Sequence, residues 1–210
     1  SEYALDLKNQ FVGMYFDKSA AVSKRLPIPI EDIRKVQHLC STIDDDLRWL
    51  VALVSDTGMR LAEGAGLLKS DIVLDSDIPH ISLKPHQWRP LKTSGNQRDI
   101  PLVGASLWAA QRLSEAFPDS HYAFSRYNRR DTTNSNSASA ALNKWLHQYV
   151  PVGCTMHSFR HSIRDRLRAV ECPSDVIDQI GGWATEGVGQ GYGKGHDLQV
   201  CAKWMNFISA

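Results

Sequence analysis

Apolar residues recur along this chain at two different periods. From Ile30 onward, Ile33, Val36 and Leu39 fall at every third position, and between Asp45 and Thr57 the residues Leu47, Leu50, Val51 and Val54 keep helical spacing. Two amphipathic helices are predicted, with Gly58 ending the second. A short helix then resumes over Met59 to Leu68 and sets Arg60 and Glu63 one turn apart on one face. Asp71 to Leu74, Ile78 to Leu83 and Asp99 to Val103 read instead as short strands joined by polar or Pro/Gly-containing turns, which implies a small antiparallel sheet. The stretch Lys92-Thr93-Ser94-Gly95-Asn96 is a turn, so Lys92 belongs near the tip of the last hairpin.

The second half returns to helical spacing. A helix is predicted over Ala105 to Phe117, then a polar loop over Arg126 to Ser139, then a helix over Ala140 to Val150. From Ser158 to Val170 the residues Phe159, Ile163, Leu167 and Val170 form one apolar stripe, while His157, Arg160, Arg164 and Arg168 fall on an adjacent face. Pro173 suits a helix start, and Gly181 and Gly182 close that helix. Glycines at 187, 189, 191, 193 and 195 surround Tyr192 and imply backbone freedom, but their spacing matches neither a dinucleotide fingerprint nor a P-loop. Leu198 to Ile208 is a final amphipathic segment. At the other end, Phe11, Val12, Met14, Tyr15 and Phe16 suggest a helix or docking segment, which Pro27 and Pro29 separate from the helix beginning near Ile30.

Composition narrows the class. A chain of 210 residues with 42% hydrophobic and 22% charged residues suits one folded domain with a sizeable core. The formal net charge of +1 does not by itself point to nucleic acid, but charge is segregated. Lys84 to Arg98 holds Lys84, Arg89, Lys92 and Arg98 without an acid, whereas Asp44, Asp45 and Asp46 sit together upstream. Cys40, Cys154, Cys172 and Cys201 are scattered, with no zinc-ligand spacing, and read as buried thiols of a reduced intracellular protein. No apolar run is long enough to span a membrane.

The face bearing His157, Arg160, Arg164 and Arg168 is suited to an anion with planar oxygen pairs, because a guanidinium stays charged and donates in a fork that matches phosphate. A solvated basic helix face would look the same in isolation. Taken singly, Arg60 with Glu63 is a surface helix pair, Lys92 a turn lysine, Trp183 a core residue and Tyr192 a half-exposed tyrosine. Their order along the chain changes the reading.

Thr57-Gly58-Met59-Arg60-Leu61-x-Glu63, Lys92 followed by Arg98-x-Ile100-Pro101-Leu102, His157-x-x-Arg160-His161, Trp183 and Tyr192 together resemble the catalytic domain of the tyrosine recombinase, or phage integrase, family. The resemblance runs from about Pro27 to the C-terminus. It implies an α+β fold, mainly helical with a small antiparallel β-sheet. It implies that Arg60 and Arg160 clamp a scissile phosphate, with Lys92 as the hairpin lysine, His157 as the first histidine, Trp183 at a His-or-Trp position and Tyr192 as nucleophile. Glu63 would orient Arg60, and His161 would support the site from behind. Lys84, Arg89, Arg98, Arg164 and Arg168 are expected to contact DNA. Gly181-Gly182-Trp183 departs from the Leu-Gly-His of many relatives, which shifts proton-transfer roles to His157 and Lys92.

The resemblance further implies cleavage and rejoining of double-stranded DNA through a phosphotyrosine, with no metal, no ATP and no cofactor. Covalent storage of the bond energy makes rejoining a simple reversal. The expected partners are DNA and further copies of the chain, as a tetramer on synapsed DNA and a monomer alone, in the cytoplasm at the nucleoid and with no membrane association. Residues 1–26 are expected to be a linker or remnant leading from a missing N-terminal DNA-binding domain, and residues 27–210 the catalytic domain. Two other functions share these residues, a type IB topoisomerase and a DNA-binding relative that has lost catalysis. The full residue set argues against the second.

Overall fold

The computed structural model describes residues 26–91, 96–116, 119–129, 132–183 and 195–209. The apolar N-terminal segment, Lys92 and the glycine-framed Tyr192 lie outside the described residues. The chain forms helices α1 (Ile30–Ile43), α2 (Asp46–Thr57) and α3 (Leu61–Ala65), strands β1 (Ile72–Val73), β2 (His80–Leu83) and β3 (Arg98–Pro101), and helix α4 (Gly104–Glu115). A hairpin of β4 (Asn128–Arg129) and β5 (Thr132–Thr133) precedes α5 (Ser135–Leu146), α6 (Ser158–Ala169), α7 (Ser174–Gly181) and α8 (Leu198–Phe207). The expected α+β class holds, with helices dominant and β1-β2-β3 antiparallel in that order, Ile81 opposite Ile100.

Local chemistry sets the helix limits. Pro29 stands in an extended conformation just before α1, and Asp44 turns left-handed at its end with its N–H on the Cys40 carbonyl. The Asp45 side chain then caps α2 by accepting from the Arg48 N–H at 3.0 Å. Trp49 through Thr57 are all buried, so α2 is apolar almost all round and forms the centre of the domain, packed between α1 and α4.

The expected loop over Arg126 to Ser139 is instead the β4–β5 hairpin and the first turn of α5. Side chains that stand in for backbone groups account for the difference. Asn128 donates to the carbonyls of Ala65 and Phe124 and accepts from the Thr133 hydroxyl, while Asn134 caps α5 by accepting from the Ser137 N–H at 3.0 Å. The residue types that mark loops here supply structure.

Two apolar cores result among the described residues. The larger gathers α1, α2, α4, α5 and the sheet, with Leu50, Leu53, Leu67 and Phe124 inside it. The smaller gathers Val103, Ile163, Leu167, Val176, Ile177, Ile180 and Met205 from α6, α7, α8 and the chain entering α4. Helix α6 serves both, since Phe159 lies in the first core and Ile163 and Leu167 in the second. Arg166 ties across them by donating to Asp56 Oδ1 at 2.9 Å, to the Ser55 carbonyl and to the Ile208 carbonyl. All four cysteines are free and buried, and burial pushes the Cys40 thiol up to about 12. Among the described residues, no helix is long and apolar enough to cross a membrane.

Candidate active site

Arg60, Glu63 and Arg160, singled out from the sequence, meet where the two cores adjoin. Gly58 ends α2 with a φ of 60°, and an added Cβ there would strike Ile163 Cγ2 at 2.3 Å. Only glycine lets α6 lie this close. The Gly58 carbonyl accepts from Arg160 Nη1 at 2.8 Å, and two residues later Arg60 opens α3. The two arginines are thus brought to the same place by one turn.

Glu63 fixes the first of them. It is 3% exposed; its Oε1 accepts from Arg60 Nη1 at 2.6 Å, and its Oε2 accepts both from the Arg60 N–H at 2.8 Å and from Arg98 Nη2 at 3.1 Å. Burial pushes the Glu63 carboxyl up, but the charge of Arg98 and the bonds from Arg60 outweigh it and hold the group below the ordinary carboxylate value. Arg60 keeps a partly exposed side chain, so its guanidinium can serve a ligand while Glu63 holds it.

Arg160 is 4% exposed. Its guanidinium lies 4.4 Å from the centre of the Trp183 ring, with Arg164 at 5.0 Å from the same ring. Its Nη2 is buried and has no hydrogen-bond partner among the described residues. Burial, then the like charges of Arg60 and Arg98, push Arg160 down to about 9. A buried cation crowded by cations, with a donor unspent, is a site that an anion completes.

His157 stands at the start of α6 and lines a cavity of about 360 Å³ that also takes in Leu61 and Ala62 of α3 and Ser135, Asn136 and Ser139 of α5. Asn143 anchors this corner, accepting from the Met156 N–H at 2.8 Å and donating to Ser139. His161 departs from expectation. It is exposed, edge-on to the His157 ring at 5.3 Å, because one turn of helix carries it outward rather than behind the site.

Trp183 owes its position to the two glycines before it. A Cβ on Gly181 would fall 1.8 Å from the indole, and Gly182, at φ 61°, would place one 2.6 Å from Arg98 Nη1. The indole therefore packs closely against Gly181, with the Arg160 guanidinium over its ring. Further along, Gln179 receives the chain as it enters α8, accepting from the His196 N–H and donating to the His196 carbonyl, both at 2.7 Å. Asp175 meets the His196 ring at 2.8 Å.

Of the residues expected to contact DNA, Lys84 and Arg168 are exposed, and Arg164 is partly so, paired with Asp178 at 3.1 Å. Arg89 and Arg98 require correction. Both are buried, Arg89 donating to Asp71 and the Lys84 carbonyl, Arg98 to Glu63 and the carbonyls of Asn96 and Ile180. Their donors face inward, where a duplex cannot reach. Asp178, which takes Arg164 and whose carbonyl accepts from the Trp183 N–H at 2.9 Å, was not singled out from the sequence, since nothing in its spacing distinguishes it.

Fold and site together define a mainly helical α+β domain organised around a cationic centre open to an anion. A model of the phage integrase family matches residues 30–195, and the chain belongs to that family. No curated protein sequence matches the chain. Among solved structures, the Tn1549 transposon integrase in complex with circular intermediate DNA is 15% identical with a TM-score of 0.60, covering 89% of this chain and 66% of its own. XerH site-specific recombinase bound to difH substrate is 18% identical with a TM-score of 0.58 (77% and 48%), and XerA recombinase 16% identical with 0.59 (85% and 62%). These likenesses establish the fold, and the chain spans two thirds or less of each of those proteins.

Proposed function

We propose that this chain is the catalytic domain, residues 27–210, of a site-specific DNA recombinase or integrase, with residues 1–26 leading from a DNA-binding domain. Its substrate is double-stranded DNA, and its working form is a tetramer on synapsed DNA at the nucleoid. The observation that carries the reading is the pairing of Arg60, held by Glu63, with a buried Arg160 whose Nη2 has no partner among the described residues. Family membership supports the assignment of the remaining roles.

In this scheme the phenolic oxygen of Tyr192 attacks the scissile phosphorus while its proton passes to His157. The P–O5′ bond breaks, the leaving 5′ oxygen takes a proton from Lys92, and a 3′-phosphotyrosine remains. Arg60, Arg160 and His157 donate to the non-bridging oxygens, whose charge grows in the transition state, so fixed donors favour that state over the ground state. Trp183 stacks under Arg160 and keeps water from competing for its guanidinium. Rejoining runs the same steps backwards and needs neither metal nor ATP.

A nicked suicide duplex, from which the cleaved end diffuses away, is expected to trap the protein as a 3′-phosphotyrosyl adduct in excess chelator. Tyr192→Phe is expected to abolish the adduct and leave duplex binding intact. An adduct surviving in that variant moves the nucleophile elsewhere, and a strict magnesium requirement ends the metal-free scheme. A duplex with sulfur in place of the 5′ bridging oxygen is expected to restore cleavage to Lys92→Ala; no restoration removes Lys92 as the acid.

A further inference from the structure

Arg98 stands on β3 with its side chain turned to the interior, 8% exposed. Each of its three nitrogens is used, and each reaches a different segment. Nε donates to the Ile180 carbonyl at 2.9 Å, Nη1 to the Asn96 carbonyl at 2.8 Å and Nη2 to Glu63 Oε2 at 3.1 Å. Ile180 lies in the last turn of α7, which ends at Gly181 just before Gly182 and Trp183. Asn96 lies four residues after Lys92 in the sequence. Glu63 holds both the backbone N–H and the guanidinium of Arg60.

We infer that Arg98 is a positioning residue, a buried strut that sets the Arg60 arm, the chain at Asn96 and the tryptophan platform in register with one another. A planar fork spreads its donors over three nitrogens in fixed directions and so reaches three separate segments, whereas an ammonium gathers its donors on a single nitrogen at the end of a flexible stem. The close fit agrees with this role, since Gly182 has no room for a Cβ beside the guanidinium. Burial and the nearby Arg60 charge both oppose a cation here and hold Arg98 below its ordinary value, and Glu63 offsets only part of that cost. Such a costly cation is tolerable where register matters, because small misplacements of reacting groups cost on the order of a hundredfold in rate.

The inference rests on the recombinase reading for its kinetic consequence and is tested in a way that separates the two. Arg98→Lys keeps the charge and removes the fork. At saturating suicide duplex, its adduct is expected to form more slowly by about tenfold or more, with half-saturation changed by less than about twofold. Amide hydrogen exchange is expected to speed up together at residues 60–66 and 178–183 while α1 and α4 keep their protection. Wild-type adduct rates in Arg98→Lys, unchanged exchange in both stretches, or weakened half-saturation at an unchanged rate would each overturn the assignment, the last by restoring a direct DNA contact. If the unsubstituted protein forms no adduct, the recombinase reading fails, and the exchange pattern still decides the role of Arg98. Should Arg98→Lys not fold, Gly182→Ala displaces the same guanidinium by its added methyl. It is expected to show the same paired exchange, and normal exchange there counts against the strut.

Discussion

The larger core and the charged seam beside it are built of opposite materials. Around α2, Leu50, Val51, Leu53 and Val54 are fully or almost fully buried among other apolar side chains, and what they contribute is area removed from water. At the seam, Arg60, Glu63, Arg98 and Arg160 are drawn from three helical or strand segments and crowd positive charge into a space with one carboxylate. The first arrangement lowers the energy of the fold. The second raises it locally and holds a site ready, so the two should respond differently to substitution.

The largest effect on stability is expected from the core. Leu53→Ala should lose about 2–5 kcal/mol of unfolding free energy, through transfer and the cavity left behind. Below its melting temperature it should still cleave a suicide duplex at nearly the normal rate. Denaturant titration alongside adduct formation checks this, and a matching loss of rate would mean that the core and the seam are not separable.

Arg160→Ala should do the reverse. Losing one fixed transition-state donor costs about 3 kcal/mol, on the order of a hundredfold in adduct rate. Stability should change by no more than about 1 kcal/mol, since the lost bond to the Gly58 carbonyl is offset by relief of a buried, repelled cation. A large fall in melting temperature would make Arg160 a structural residue first.

The smallest effect is a pH dependence confined to the seam. Glu63 is held below its ordinary value in the folded state, so the unfolded chain takes up its proton first as pH falls. Its contribution is therefore complete above the unfolded value of about 4.5 and is lost as pH falls through the lower folded value. Glu63→Gln should flatten that part of the acid limb in melting curves taken from about pH 5 to pH 3, and an unchanged limb would assign acid sensitivity to other carboxylates.

The core was readable because burial follows period. Leu50, Val51 and Val54, and Phe159, Ile163 and Leu167, lie inside as their spacing requires. Of the residues expected at the site, the structure brings Arg60, Glu63, Arg160 and Trp183 together. What failed was the sense of individual charges. Arg98 was read as a surface cation, although the strand alternation that buries Ile100 also turns Arg98 inward and Asp99 outward. Arg89 gave no such signal, because its pairing with Asp71 spans 18 residues of sequence. The polar stretch before α5 misled for a different reason, since Asn128 and Asn134 bond to backbone in ways that composition alone does not reveal.

The passage of α6 through both cores has a bearing on biosynthesis. Phe159 needs the first core and Ile163 the second, and the platform beneath Arg160 is Trp183, which leaves the ribosome after everything it must meet on α2, α3 and β3. A nascent or truncated polypeptide ending before that tryptophan carries the arginines without the surface that aligns them. Under the proposed recombinase reading, competence to cleave is thereby deferred until Trp183 has joined the arginines.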